Sequence, residues 1–267
     1  MVSYLAKTPS LSVGLSSCLS ICPSAHLCLS WAVCIVSHFL GLSDFFFRYF
    51  DYEELKPLLK GVVTKRMKHG AVLDLGCGVS YLFGDMLADG FDGSLTGIDY
   101  VSSVIRQQTK VYPVDLFPSI EFKECNALKL LSHFEKDSFS LIIDKATSDG
   151  MLCSPETAAK TPLMYKAVAQ LLKLTGVYII ASVHAPEEEA WLSDLLLPSL
   201  VQACPQNKWL IQVHTPLDQD AAGDMENPFV YVIRKHGRFT RSASADDGKR
   251  GLEDAVAVQQ FFYWKIN

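Results

Sequence analysis

The sequence predicts an α/β fold, an open and mostly parallel sheet with helices on both faces, from three observations. Residues 72–75 are a short apolar run, interrupted only by Asp74, that passes straight into Gly76, Cys77 and Gly78. Residues 95–100 are a second such run, ending in Asp99 and Tyr100. Residues 139–144 are almost continuously apolar, as a parallel strand covered on both faces should be. Helical spacings separate these runs, and a strand and helix alternation of this kind feeds a parallel sheet through right-handed crossovers.

The elements follow in order. Asp51 offers a cap with Glu54 three residues on, after which Leu55, Leu58, Leu59, Val62 and Val63 make one apolar helical face. Pro57 either starts that helix or kinks it. Lys60, Lys65, Arg66, Lys68 and His69 read as a solvated basic face. After the first strand, Ser80 can cap a crossover helix whose buried side is Leu82, Phe83, Met86 and Leu87, with Gly90 placed to end it. Ser102 can cap the next helix, through Val104 and Ile105, and Pro113 and Pro118 mark the turn after it. Residues 120–125 alternate as a third strand that ends at Asn126 and Ala127. Beyond the fourth strand, Thr161 and Pro162 read as cap and first helical residue, with Met164, Val168, Leu171 and Leu172 as the buried stripe and Gly176 ending the helix ahead of a fifth strand at 177–183. Pro186 and three glutamates open an acidic helix start, with Trp191, Leu192, Leu195, Leu196 and Leu200 facing in. Residues 209–214 and 229–233 are the last two strands, followed by a polar stretch and an apolar tail with no assigned place.

At 267 residues the chain suits a single α/β domain, and a net charge of −5 argues against a long nucleic-acid footprint. Residues 8–43 contain no Asp, Glu, Lys or Arg and are rich in Ser, Leu and Cys. Their most apolar part, 27–42, is shorter than the roughly 20 residues of a membrane-spanning helix and includes Ser30, Ser37 and His38, so no membrane partner is expected. The expected organisation is an uncharged segment at 1–44 outside the core, a catalytic domain at 45–236, and a polar loop with an apolar tail at 237–267. Four of the eight cysteines fall in the uncharged segment, while Cys77, Cys125, Cys153 and Cys204 are scattered. They read as free thiols in a reducing, cytoplasmic compartment. No C-x-x-C pair with matching histidines occurs, so no metal is expected.

Glycines between a strand and a helix start make a cradle where a ligand can lie against the main chain beside unpaired N–H groups. A dinucleotide fingerprint would need a third glycine at position 81, where Tyr81 stands. Asp74, ahead of the glycines, suits a ligand with a cationic amino group. Asp99, at the end of the neighbouring strand, can accept both hydroxyls of a ribose.

These residues carry a resemblance. The stretches VLDLGCGVS, TGIDYVSSVI, the acid-rich DYEELKPLL and IIDKATSDGML resemble the class I S-adenosylmethionine-dependent methyltransferases, and within them the methyltransferase-like family that includes lysine methyltransferases of translation elongation factor 1-alpha. The likeness runs from Asp51 to Lys235. Ala146 and Ser148 stand where that family has Gly and Leu, and its N-terminal aromatic motif Y-W-x-x-R-Y is not found in the uncharged segment.

The resemblance implies a seven-stranded Rossmann-like methyltransferase fold, mostly parallel, with an antiparallel edge strand. It implies S-adenosyl-L-methionine as cofactor and a protein substrate, with translation elongation factor 1-alpha the closest expectation. Asp74, Gly76 and Gly78 would hold the methionine end, Asp99 and Tyr100 the ribose and adenine, and Asn126 with Ala127 the adenine, unless Asn126 simply opens a turn. Lys145 would contact the cofactor, and Asp144 and Asp149 are candidate catalytic residues that orient the substrate amine, or else support the fold. His184 and His214 read as strand-end histidines. A small-molecule methyltransferase and a noncatalytic cofactor-binding module share every cofactor residue.

Overall fold

A computed structural model describes residues 52–186, 191–216, 228–238 and 256–264. The uncharged segment at 1–44, Asp51, the glutamates at 187–189 and residues 239–255 of the polar loop lie outside the described residues. Helix α1 (Tyr52–Val62) runs through Pro57 and is followed by the short α2 (Lys65–Lys68). Then come β1 (Val72–Leu75), α3 (Leu82–Ala88), β2 (Leu95–Asp99), α4 (Ser102–Val111) and β3 (Ile120–Glu124). A 3-10 turn over Ala127–Ser132 leads to β4 (Phe139–Lys145), α5 (Thr147–Leu152), α6 (Pro155–Ala158) and α7 (Thr161–Leu171). The chain closes with β5 (Leu172–Ser182), a wide turn over Trp191–Leu196, α8 (Leu197–Ala203), β6 (Asn207–Pro216), β7 (Phe229–Arg238) and β8 (Val256–Trp264).

The strands form one sheet in the order β3-β2-β1-β4-β5-β7-β6-β8. Strands β1 to β5 pair in parallel, and β7 lies antiparallel between β5 and β6. The seven-stranded sheet of the sequence reading is therefore present, and the apolar tail adds an eighth strand, parallel to β6. The order reverses between β1 and β4, so the carboxyl ends of β1, β2 and β4 face one crevice, the place where open α/β sheets bind ligands.

Period-two side-chain alternation splits the core into two layers. Leu73, Leu75, Ile142, Tyr178 and Ile180 pack on one face with Met164 and Val168 of α7 and with Trp191. Val72, Leu141, Ile143, Val177 and Ile179 pack on the other with Leu55 and Leu59 of α1 and Phe83 and Met86 of α3. Continuous apolar runs are what a sheet covered on both faces requires, and β1 is buried along its whole length. The described cysteines Cys77, Cys125, Cys153 and Cys204 are free thiols, all but Cys153 buried.

Three local expectations shift. Ser102 and Thr161 are first helical residues rather than caps, because Val101 and Lys160 hold the cap positions. Helix α7 ends at Leu171, and Leu172, expected in its buried stripe, already belongs to β5. A bulge makes the difference: the register with β4 shifts between Phe139 and Leu141, and Thr175 adopts a left-handed φ of 67°. Gly176 is thus required by close approach inside the bulge, where a Cβ would stand 2.8 Å from the Lys173 carbonyl, and does not end the helix.

A β-branched residue at positive φ is strained. Ala146 is in the same position, at φ 66°, as the turn into α5. Thr175→Gly and Ala146→Gly are each expected to raise stability by about 0.5–1 kcal/mol, the left-handed cost less the extra entropy glycine loses on folding. Urea midpoints of the two variants, measured with unchanged slopes, check this.

Candidate active site

The crevice is built around the glycine turn that leaves β1, and its two glycines serve different ends. At Gly76, φ is 68° and a Cβ would sit 2.0 Å from Thr147 Oγ1, so the turn brings the loop after β4 against the end of β1. Thr147 Oγ1 donates to the Leu75 carbonyl at 2.7 Å and closes that contact. At Gly78, φ is 53° and a Cβ would meet nothing within 4 Å, which leaves open space over the main chain.

Asp99 faces this turn. Its Oδ2 accepts the Gly78 N–H at 3.1 Å and its Oδ1 accepts the Val101 N–H at 2.9 Å. Each oxygen keeps a further lone pair for a hydroxyl of the ligand. Burial pushes the Asp99 carboxyl up, against the pull of the backbone N–H groups of Val101, Gly78 and Tyr100. Tyr100 beside it is 76% exposed, its ring free of the core.

Asp74 is buried, and its Oδ1 has no hydrogen-bond partner among the described residues. A buried acceptor without a donor costs about 1–3 kcal/mol. An acceptor left open beside a glycine turn fits the amino group that the sequence reading assigned to it. Burial pushes its carboxyl up to about 6, with Lys145 opposing and Asp99 reinforcing the shift. Lys145 reaches across from β4, and its Nζ donates to Ser80 Oγ at 3.3 Å. Ser80 Oγ also accepts the Leu82 N–H at 3.1 Å, fixing the start of α3.

A pH dependence follows. Asp144 is likewise pushed up to about 6 by burial. A carboxyl whose value is raised in the folded state binds its proton more tightly folded than unfolded, so its contribution to stability is complete below the ordinary value and is lost as pH rises through the raised one. Asp74 and Asp144 should make the unliganded protein lose stability between about pH 4 and pH 6. Affinity for a ligand bearing an ammonium should move the opposite way, rising toward a plateau above about pH 6 as Asp74 ionises. Thermal midpoints and calorimetric titrations from about pH 4 to about pH 8 test both signs.

Asp144 and Asp149 are both buried, and their carboxylates are used within the fold. Asp144 accepts from Thr147 N, Ser148 N, Ser148 Oγ and Tyr178 OH. Asp149 accepts from Ser182 Oγ and from the Val183 N–H at 3.1 Å, tying α5 to the end of β5. The first acid caps α5 and the second anchors it, so both set the loop after β4 from behind. Ser148, where the resembled family has Leu, is one of the donors to Asp144.

Asn126 caps the 3-10 turn, its Oδ1 accepting the Leu128 N–H at 2.9 Å, and Ala127 opens that turn at the carboxyl end of β3. His184 is buried just after β5, and His214 lies in β6, where burial lowers its imidazole.

The contact of Thr147 with Leu75 joins residues far apart in the chain. One group escaped the sequence reading. Gln108 is 1% exposed, and its Nε2 donates to the carbonyls of Gly78 at 2.9 Å and Ser80 at 3.0 Å. Its spacing of four from Val104 placed it on the inner face of α4, the one clue in the sequence. Among the described residues no cluster of His, Cys, Asp or Glu is arranged to hold a metal, and no helix is long and apolar enough to cross a membrane.

Comparison with known proteins adds the family. The sequence model of a family described as a methyltransferase domain matches residues 67–240. No curated protein matches the chain. Among solved structures, the chain is similar to an S-adenosylmethionine-dependent methyltransferase from Methanosarcina mazei, at 17% identity over 68% of this chain and 98% of that one, with a TM-score of 0.47. It is similar also to the YcgJ protein of Bacillus subtilis, at 16% identity over 70% of this chain and 99% of that one, TM-score 0.47. A third is geranyl diphosphate C-methyltransferase from Streptomyces coelicolor, at 11% identity over 67% of this chain and 77% of that one, TM-score 0.44.

Proposed function

The chain belongs to the methyltransferase-domain family that its residues 67–240 match, as an S-adenosyl-L-methionine-dependent methyltransferase, and from that premise we propose that its acceptor is a lysine of a protein, translation elongation factor 1-alpha. The observation that carries the proposal is the loop after β4. It presents DKAT in a turn that Asp144 caps and Thr147 fastens to Leu75, beside the glycine cradle. This is the stretch in which the sequence resembles the lysine methyltransferases. A cytoplasmic location goes with that substrate.

When bound, S-adenosyl-L-methionine supplies a methyl on a sulfonium that an amine can displace. The chain's own residues then have assigned parts. Asp74 receives the amino group of the methionine end, over the turn that Gly76 and Gly78 allow. Asp99 receives the ribose hydroxyls, and Tyr100, Asn126 and Ala127 border the adenine. Lys145 meets the carboxylate of the methionine end. Asp144 and Asp149 act on the substrate amine through the loop they hold, as positioning residues. A lysine has an ordinary pKa of about 10.4 and reacts only as the neutral amine, so its proton must leave before transfer. Exclusion of water favours that loss, and alignment supplies most of the acceleration.

The test is incubation of the full chain with isotopically labelled cofactor and purified elongation factor 1-alpha, followed by mass mapping. Label on one defined lysine is the expected result. Cofactor binding without any labelled protein would move the acceptor to a small molecule, and no cofactor binding at all would make the chain a noncatalytic member of its family.

A further inference from the structure

Gly78 is held through the peptide on each side of it. Its N–H donates to Asp99 Oδ2 at 3.1 Å, and its carbonyl accepts from Gln108 Nε2 at 2.9 Å. The same carboxamide nitrogen reaches the Ser80 carbonyl at 3.0 Å, and Ser80 Oγ is the atom that Lys145 contacts at 3.3 Å. Two carbonyl oxygens converging on one buried side chain need a double donor between them, and the NH2 of the carboxamide supplies one without burying a charge. Its Oε1 is buried with no partner among the described residues. A hydrocarbon would fill the site without leaving that orphan, so core packing does not account for a glutamine here.

We propose that Gln108 is a positioning residue of the cofactor site: it holds the peptide that follows Gly78 while Asp99 holds the one before it, and so fixes the glycine turn over which the Asp99 carboxylate faces the ribose. The cradle is then rigid before any ligand arrives, and the freedom it would otherwise lose on binding has already been given up in folding. Without the carboxamide, the carbonyls of Gly78 and Ser80 have no donor and the peptides can turn outward to water. That rotation frees ψ of Gly78, and the turn that presents the Gly78 N–H to Asp99 loosens with it. The ligand named here rests on the S-adenosyl-L-methionine reading, whereas the clamp itself does not.

Two variants of the full chain test it. Gln108→Met keeps length and volume and removes both donors, and Gln108→Glu keeps the shape but turns a carboxylate toward two carbonyls. In the unliganded protein, amide hydrogen exchange at Gly78 should quicken about tenfold in Q108M, and calorimetric Kd values for S-adenosyl-L-methionine and for adenosine should both rise about tenfold, more in Q108E. Adenosine is the telling probe, since Asp99 serves the ribose; Asp74→Asn should weaken S-adenosyl-L-methionine and leave adenosine unchanged. A residue that only fills the core would lower the thermal midpoint and leave the Kd of the folded protein where it was. Unchanged Gly78 exchange and unchanged adenosine affinity in Q108M overturn the proposal. If Q108E does not fold, Q108M alone decides. Faster Gly78 exchange in a protein whose wild type binds neither probe would uphold the clamp and sink the cofactor reading.

Discussion

Replacing Asp99 with alanine is expected to weaken S-adenosyl-L-methionine binding by at least about a hundredfold, because charge-assisted hydrogen bonds contribute about 1.5–3 kcal/mol each and this carboxylate is proposed to make two to the ligand. The substitution also orphans the Gly78 and Val101 N–H groups that Asp99 now satisfies. Both lie at the partly open crevice, where water can replace the carboxylate, so the fold should survive. Circular dichroism would confirm the fold, and calorimetric titration would read the affinity. Asp99→Asn separates the two roles: its carbonyl oxygen can still accept one N–H, but its NH2 opposes the other. Normal affinity in Asp99→Ala would remove Asp99 from the site.

The largest effect on stability is expected at Asp144. Asp144→Ala would leave the N–H groups of Thr147 and Ser148 and the hydroxyls of Ser148 and Tyr178 without their acceptor, and all of these but Thr147 are shut off from water. The expected loss is about 3–5 kcal/mol, or on the order of 10 °C in the thermal midpoint. Asp144→Asn should cost much less. Its oxygen can take the two N–H groups, and hydroxyls, unlike N–H groups, can rotate to accept from its NH2. Activity of the Asn variant decides the role. Turnover close to wild type with unchanged pH profile fits a residue that holds the loop, whereas loss of turnover with intact stability would give Asp144 a direct part in handling the amine.

The contrast between the buried acids shows where reading along the chain stops. Asp74 and Asp144 look alike in sequence, each an acid in or at the end of an apolar strand, and both have carboxyls pushed up to about 6 by burial. One has an oxygen with no partner among the described residues and the other accepts four hydrogen bonds. Three of the four donors to Asp144 lie just downstream, in Thr147 and Ser148, but they reach it only because the chain turns there into α5, and the fourth, Tyr178, comes from β5, as Ser182 and Val183 do for Asp149.

Apolar periodicity and glycine placement by themselves determined the α/β class, the parallel core, the glycine turn after β1 and the acid at the end of β2. Each is a local rule: a strand covered on both faces must be apolar throughout, and a turn at positive φ favours glycine. Tertiary structure alone decided that Ala146 and Thr175 accept left-handed backbone, that Asp144 and Asp149 are consumed by the loop, and that Gln108 grips the cradle. Hydrogen-bond partners dozens of residues apart are chosen by packing, and the spacing of residues along a chain does not carry that choice.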